Sequence, residues 1–253
     1  MHSELIYEHW WLVPAFFGIA MLYSSAGFGG GSSYLSLLAI TGASQFAVRW
    51  IAYLCNMAVT GLAQIKYRRQ QVLSKADVWP WFVGSIPMAY LGGTVRLTER
   101  FYFLLLGISL LIASALLLVQ KSKSERTTRL SVDWRLQVLV GASIGLLSGL
   151  VGIGGGIFLA PVLHLANWQK AEKIAALSSL FILVNAAAGA VAFAWSNGFH
   201  FPGWDAFVLV IAVMAGGYLG ASFSLSIRGK ALIRAMTGIL VGIVAFRLLI
   251  QYS

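Results

Sequence analysis

Long apolar runs, cut by short polar or glycine-rich breaks, extend along almost the whole chain. Reading the runs against the breaks predicts helices at 10–27, 28–42, 46–66, 77–95, 101–120, 134–152, 153–167, 173–196, 204–226 and 230–251. Two long stretches, 101–119 and 206–227, contain no Asp, Glu, Lys or Arg at all. A hydrocarbon core about 30 Å thick is crossed by roughly 20 apolar residues in a helix, so these runs predict membrane spans. The one extended polar stretch, QKSKSERTTRLSVDWR at 120–135, falls near the middle of the chain.

The two sides of that stretch resemble each other. Gly27-Phe-Gly-Gly-Gly31 recurs as Gly152-Ile-Gly-Gly-Gly156, and Tyr90-Leu-Gly92 recurs as Tyr218-Leu-Gly220. Asn56 and Asn185 each lie in the following helix, and Gly107 and Gly238 each lie in the last helix of their half. Four landmarks in one order at nearly one offset predict an internal duplication. The expected organisation is a first transmembrane repeat at 1–120, a cytoplasmic linker at 121–134 and a second transmembrane repeat at 135–253.

Loop charges predict how the halves are oriented. Loop 66–75 holds Lys66, Arg68, Arg69 and Lys75, whereas its counterpart 197–203 holds no Lys or Arg. The bias reverses in the next pair of loops. Arg96 and Arg100 stand beside Glu99 in 96–100, against Arg228, Lys230 and Arg234 unopposed in 228–234. Positive loops mark the cytoplasmic side. Matching loops of opposite bias therefore predict opposite orientation. The expected fold class is an all-α polytopic membrane protein of two inverted-topology repeats, each a Gly-broken helical hairpin plus three transmembrane helices. All of the 18 basic residues except Arg49, Arg96, Arg100 and Arg247 then face the cytoplasm, and the N-terminus faces outward.

Composition supports the same class. Of 253 residues, 59% are hydrophobic and 10% charged, and the mean hydropathy is +0.81, too apolar for a soluble domain of this length. The leading MHSELIYEHWW has no Lys or Arg, the wrong flank for a cleaved signal, so the first apolar segment is expected to be retained. The net charge of +10 sits in short loops, where cytoplasmic retention accounts for it without nucleic acid. Cys55 is the single cysteine, which excludes an internal disulfide. The histidines form no pair at i, i+3 or i, i+4, so no metal is expected, nor any cofactor. His164 is the one candidate for proton coupling. Asp133, Glu172 and Asp205 fall near span ends, which argues against a cation site built on a buried carboxylate. Trp10, Trp11, Trp50, Trp79, Trp81, Trp195 and Trp204 read as an interfacial belt.

The glycine clusters carry the candidate chemistry. Each interrupts an apolar stretch too long for one span, and consecutive glycines open a helix. Backbone groups freed at membrane depth must face protein or a water-filled cavity. The half-helix after each break then points its first N–H groups and positive dipole end into that cavity, which suits an anion. The alternative is close helix packing through small residues. The candidate substrate-binding set is Ser24, Ser25, Gly27, Gly29, Gly30, Gly31, Ser32 and Asn56 in the first half. In the second half it is Gly152, Gly154, Gly155, Gly156, Ser178, Ser179 and Asn185. Serine hydroxyls donate to oxyanions without a buried charge. They also bond back to their own helix. Gln64 is a weaker candidate. Arg49 and Lys173 each open the helix after a break. Each either attracts the substrate electrostatically at a cavity mouth or snorkels to the interface.

With GFGGGSSYLSLLAITGAS in one half and LLSGLVGIGGGIFLAPVLHL in the other, the chain resembles the TauE/SafE family of sulfite and sulfonate exporters. Lys173-Ile-Ala-Ala-Leu-Ser178 is similar to the family's stretch of a basic residue, small residues and a Thr-Ser pair, with Leu177 in the Thr place. Arg49-Trp-Ile-Ala-Tyr-Leu54 keeps the basic residue and lacks both hydroxyls. The resemblance implies a bacterial cell (inner) membrane permease for small sulfur-containing oxyanions. The function expected is a secondary transporter working by alternating access, with the anion held at broken-helix N-termini near the midplane. An uncoupled anion channel shares these features. An intramembrane enzyme is disfavoured, since no catalytic set lies within the spans. The expected partners are a small anion and the lipid bilayer, without nucleic acid, and a homodimer is open.

Overall fold

A computed structural model of the chain describes residues 5–26, 29–119, 133–166, 168–198, 203–222 and 227–252. Among these residues the chain is helical, in the order α1 (Leu5–Glu8), α2 (Leu12–Ala26), α3 (Gly31–Ile40), α4 (Gln45–Arg69), α5 (Lys75–Thr94), α6 (Glu99–Val119), α7 (Trp134–Val151), α8 (Gly156–Leu165), α9 (Ala171–Asn197), α10 (Trp204–Ser222) and α11 (Ile227–Tyr252). Every helix read from the apolar runs is present, and only the four-residue α1 goes beyond them. Linker residues 121–132 lie outside the described residues, and Trp134, assigned above to the linker, already belongs to α7.

Local chemistry sets the ends. Ser74 and Asp77 form a reciprocal capping box at the start of α5, and the Ser44 hydroxyl accepts from Ala47 N–H at the start of α4. Lys66, Arg68 and Arg69 gather in the last turn of α4, where cations oppose the helix dipole favourably.

Five helices are long and apolar enough to cross a membrane among the described residues: α4, α6, α7, α9 and the Ala235–Tyr252 part of α11. The predicted crossings α5 and α10 fall outside that set. α5 carries Lys75 and Asp77 in its first turn with Pro80 and Pro87 inside, and the apolar part of α10 is short. Large apolar side chains point outward in rows. Ile239, Ile243, Phe246 and Ile250 make one exposed face of α11 at i, i+4, i+7 and i+11. Such a face suits lipid and is unfavourable in water.

The packing is reciprocal between the halves. α5 lies along α7 as α10 lies along α2, and α5 meets α9 as α10 meets α4. α3 packs on α4 as α8 packs on α9, while α4 meets α9 and α6 meets α11. Glycine lets the first two pairs approach closely. A Cβ at Gly92 would meet the Leu150 amide nitrogen at 2.8 Å and crowd the Leu146 carbonyl, and one at Gly220 would crowd the Met21 carbonyl. The glycine of the repeated Tyr-Leu-Gly is therefore a packing device in both halves, while its Tyr and Leu are exposed.

The tryptophan belt holds in part. Trp10, Trp79, Trp195 and Trp204 are largely exposed, whereas Trp50 and Trp81 are buried. Trp81 faces inward and meets Trp168 edge to face at 6.3 Å. Its helix end is tucked into the protein, so tertiary packing overrides the interfacial preference.

Candidate functional site

Each glycine cluster reverses the chain. A Cβ on Gly30 would stand 3.2 Å from Ile19, and one on Gly155 would stand 2.9 Å from Ile144. Eleven residues of continuous helix would separate those partners by about 16 Å. α3 therefore folds back beside α2, and α8 beside α7.

The turns use conformations that favour glycine. Gly30 caps α3 at φ 79° and Gly155 caps α8 at φ 81°, both left-handed, while Gly152 closes α7 at φ 90°. Gly30 O accepts from Ser33 and Tyr34, and Gly155 O accepts from Phe158 and Leu159, at 3.0 to 3.1 Å. The N–H groups of Gly31, Ser32, Gly156 and Ile157 precede these first intrahelical donors. They are the groups that a helix N-terminus offers to a ligand.

α4 and α9 bring the two tips into one site. Ile182 of α9 lies against both. It stands 3.1 Å from a Cβ position on Gly29 and 2.7 Å from one on Gly154, and it crowds Gly156 as well. Asn56 of α4 does the same from the other side. Its Cγ lies 2.8 Å from a Cβ position on Gly31, and its Nδ2 donates to Gly152 O (3.3 Å) and Ile153 O (3.2 Å). Thr60, one turn further along α4, stands 2.9 Å from a Cβ position on Gly29.

Arg49 departs most from expectation. It is 2% exposed, so it neither snorkels nor stands at a cavity mouth. Its Nη2 donates to Gly149 O at 2.9 Å, and its guanidinium lies 4.1 Å from the centre of the Phe193 ring. Tyr53 Oη donates to the same Gly149 O at 2.7 Å, and Tyr102 Oη donates to Val151 O at 3.0 Å. Together with Asn56, these three side chains take up carbonyls from Gly149 to Ile153 at the broken C-terminal end of α7, where Arg49 is a cation matching the negative dipole end.

Lys173, grouped with Arg49 by its place after the break, does something else. Its Nζ pairs with Asp77 Oδ2 at 2.8 Å near the start of α5, away from the tips. Gln64 Nε2 donates to Ala176 O at 3.0 Å and ties α4 to α9.

Most of the other candidates are buried and face inward. Ser32, Ser178, Ser179 and Asn185 are at most 2% exposed, and each has a side-chain oxygen with no hydrogen-bond partner. Ser24 Oγ and Ser148 Oγ are in the same condition. Asn185 Nδ2 donates to Phe181 O at 2.8 Å within its own helix. Gly27 and the side chain of Ser25 lie outside the described residues. Asp205, placed near a span end by sequence, is buried in the first turn of α10.

The residues not anticipated are Tyr34, Tyr53, Thr60, Tyr102 and Ile182. Tyr34 stacks on Phe16 at 4.8 Å and turns its hydroxyl to the bend at Gly30. A signal for two of the others stands in the sequence. Arg49, Tyr53, Asn56 and Thr60 fall at i, i+4, i+7 and i+11, a polar stripe on one face of an otherwise apolar helix. Ile182 and Tyr102 carry no such mark. Among the described residues no group of His, Cys, Asp or Glu is placed to hold a metal.

Comparison with known proteins agrees with this architecture. Residues 12–248 match the family described as sulfite exporter TauE/SafE. The probable membrane transporter protein y4hK of Sinorhizobium fredii (strain NBRC 101917 / NGR234) is 32% identical over 244 residues, covering 94% of this chain and 97% of that protein. The probable membrane transporter protein MamO of Paramagnetospirillum magneticum (strain ATCC 700264 / AMB-1) is 21% identical over 268 residues, covering 88% of this chain and 42% of that protein. No solved structure matches the chain. With its apolar helices, its paired glycine breaks and a match that spans nearly its full length, the chain is a multi-pass membrane protein of the sulfite exporter TauE/SafE family.

Proposed function

We propose that the protein is a secondary transporter that carries small sulfur-containing oxyanions across the cell membrane by alternating access. The anion sits where the N-termini of α3 and α8 meet the α4 and α9 faces. The observation that carries this reading is the convergence of both glycine turns on Ile182 and Asn56. Two positive dipole ends then border one buried place beside the unpartnered Asn56 Oδ1. The reciprocal packing of the halves suits rocking of one repeat against the other about a fixed midplane site.

Purified protein in liposomes is expected to take up at least one of sulfite, sulfate, thiosulfate or a short sulfonate with saturable kinetics. Uptake of none, with or without a pH gradient, would overturn the transport reading. Non-saturating uptake indifferent to the gradient would identify a channel.

The loop charges support an inverted arrangement, with loop 66–75 cytoplasmic, loop 197–203 outside and the N-terminus outside, in the inner membrane of a bacterium. In a Cys55→Ser background, Gln70→Cys and Asn197→Cys are expected to react with an impermeant thiol reagent from opposite sides. Reaction of both from one side rules out inversion.

A further inference from the structure

The amide of Asn56 is fixed in sense by its surroundings. Its Nδ2 faces two carbonyls, Gly152 O and Ile153 O. With nitrogen and oxygen exchanged, three oxygens would face one another with no proton among them. Asn56 Oδ1 therefore points the other way, onto Gly31 at the N-terminus of α3, and it has no partner although the residue is fully buried. The same logic fixes Asn185. Its Nδ2 is engaged by Phe181 O, and its Oδ1 is likewise buried and unpartnered.

The anion site thus holds one acceptor, Asn56 Oδ1, that no donor among the described residues satisfies, and Asn185, one turn beyond Ile182 on α9, carries a second. A bare oxyanion offers them only more acceptors, and a buried acceptor left unmatched is unfavourable. Charge argues in the same direction. Among the described residues the buried ionisable cation is Arg49, which also caps α7, and Asp205 at the start of α10 is a buried carboxylate, so there is little buried positive charge to hold a dianion.

We infer, resting on the transport reading above, that the site takes its sulfur oxyanion as a monoanion that carries its own hydrogen-bond donor. Hydrogen sulfite and hydroxyl-bearing sulfonates are of this kind. The charged oxygens lie at the first N–H groups of α3, and the hydroxyl turns to Asn56 Oδ1. Sulfite dianion and sulfonates without a hydroxyl are the disfavoured forms.

The test uses proteoliposomes with the same pH on both sides. 2-Hydroxyethanesulfonate and ethanesulfonate share charge and nearly share size, and the first is expected to enter about tenfold faster or more, as in sites that bond a substrate hydroxyl. As pH is raised through the second ionisation of sulfurous acid, sulfite flux relative to 2-hydroxyethanesulfonate flux is expected to fall with the hydrogen sulfite fraction. Asn56→Leu is expected to bring the preference between the two sulfonates close to one. Because Asn56 also holds the second tip, Asn185→Leu serves as a second variant. It removes an unpartnered acceptor, and among the described residues the bond lost with it, from Nδ2 to Phe181 O, lies within its own helix, so it is expected to lower the same preference. Equal entry of the two sulfonates in the unmodified protein overturns the inference, as does sulfite flux that follows the dianion. If neither sulfonate enters, the sulfite series alone decides. A preference that survives in both variants overturns its assignment to these amides. Transport of no sulfur anion overturns the function reading instead.

Discussion

Gly31→Ala is expected to abolish transport in a protein that still folds. In a helix, alanine is favoured over glycine by about 1 kcal/mol, so α3 itself gains from the change. The added methyl, however, lands on the Asn56 amide, 2.6 Å from Nδ2 and 2.8 Å from Cγ. Asn56 must then leave Gly152 O and Ile153 O, at roughly 1 kcal/mol for each bond. The net cost is about 1 kcal/mol, small enough for the protein to stay folded, while the geometry that joins the two tips is lost. Flux in liposomes should fall to background with an unchanged size-exclusion profile. Gly61→Ala is the matched control on α4, because a Cβ there meets nothing within 4 Å, and it should transport normally. Wild-type flux in Gly31→Ala would remove Asn56 from the site.

Arg49→Met is expected to have an effect of similar size for a different reason. Methionine keeps most of the apolar packing against Phe193 and gives up a hydrogen bond to Gly149 O, worth about 1.5–3 kcal/mol when charge-assisted. Tyr53 still serves that carbonyl, so the break in α7 stays capped and the protein should remain folded. What disappears is the buried positive charge. Sulfite uptake is expected to drop at least tenfold, and Arg49→Lys, which keeps the charge, should restore part of it. The recovery is partial because an ammonium can neither stack flat on Phe193 nor present the planar fork. Full activity in Arg49→Met would reduce Arg49 to a helix cap.

Much of this arrangement is legible in the sequence, and the parts that are not share a physical cause. Helix positions follow from apolar runs, because a spanning helix must satisfy its backbone internally and cover it with apolar side chains. The breaks follow from consecutive glycines, and Gly30, Gly152, Gly154 and Gly155 indeed adopt positive φ. Asn56 follows from the rule that a buried amide in a membrane helix needs a partner. Arg49 and Lys173 are misjudged as a pair because sequence places both just after a break. Their fates depend on neighbours far along the chain, Gly149 for one and Asp77 for the other. Trp50 and Trp81 fail in the same way, since a tryptophan at a helix end meets lipid headgroups only when that end lies on the outside. Ile182 is invisible because an isoleucine in an apolar helix looks the same whether it faces lipid or fills the space between two turns.

The shortness of α3 and α8 has an electrical consequence. At 10 residues each they are about 15 Å long, half of a hydrocarbon core of about 30 Å. On the proposed alternating-access path the two tips would face each side of the bilayer in turn. A net negative charge carried across that site passes through the full membrane voltage, worth about 2.3 kcal/mol per 100 mV. Uptake into liposomes should therefore respond to an imposed potential whenever the carried species has a net charge.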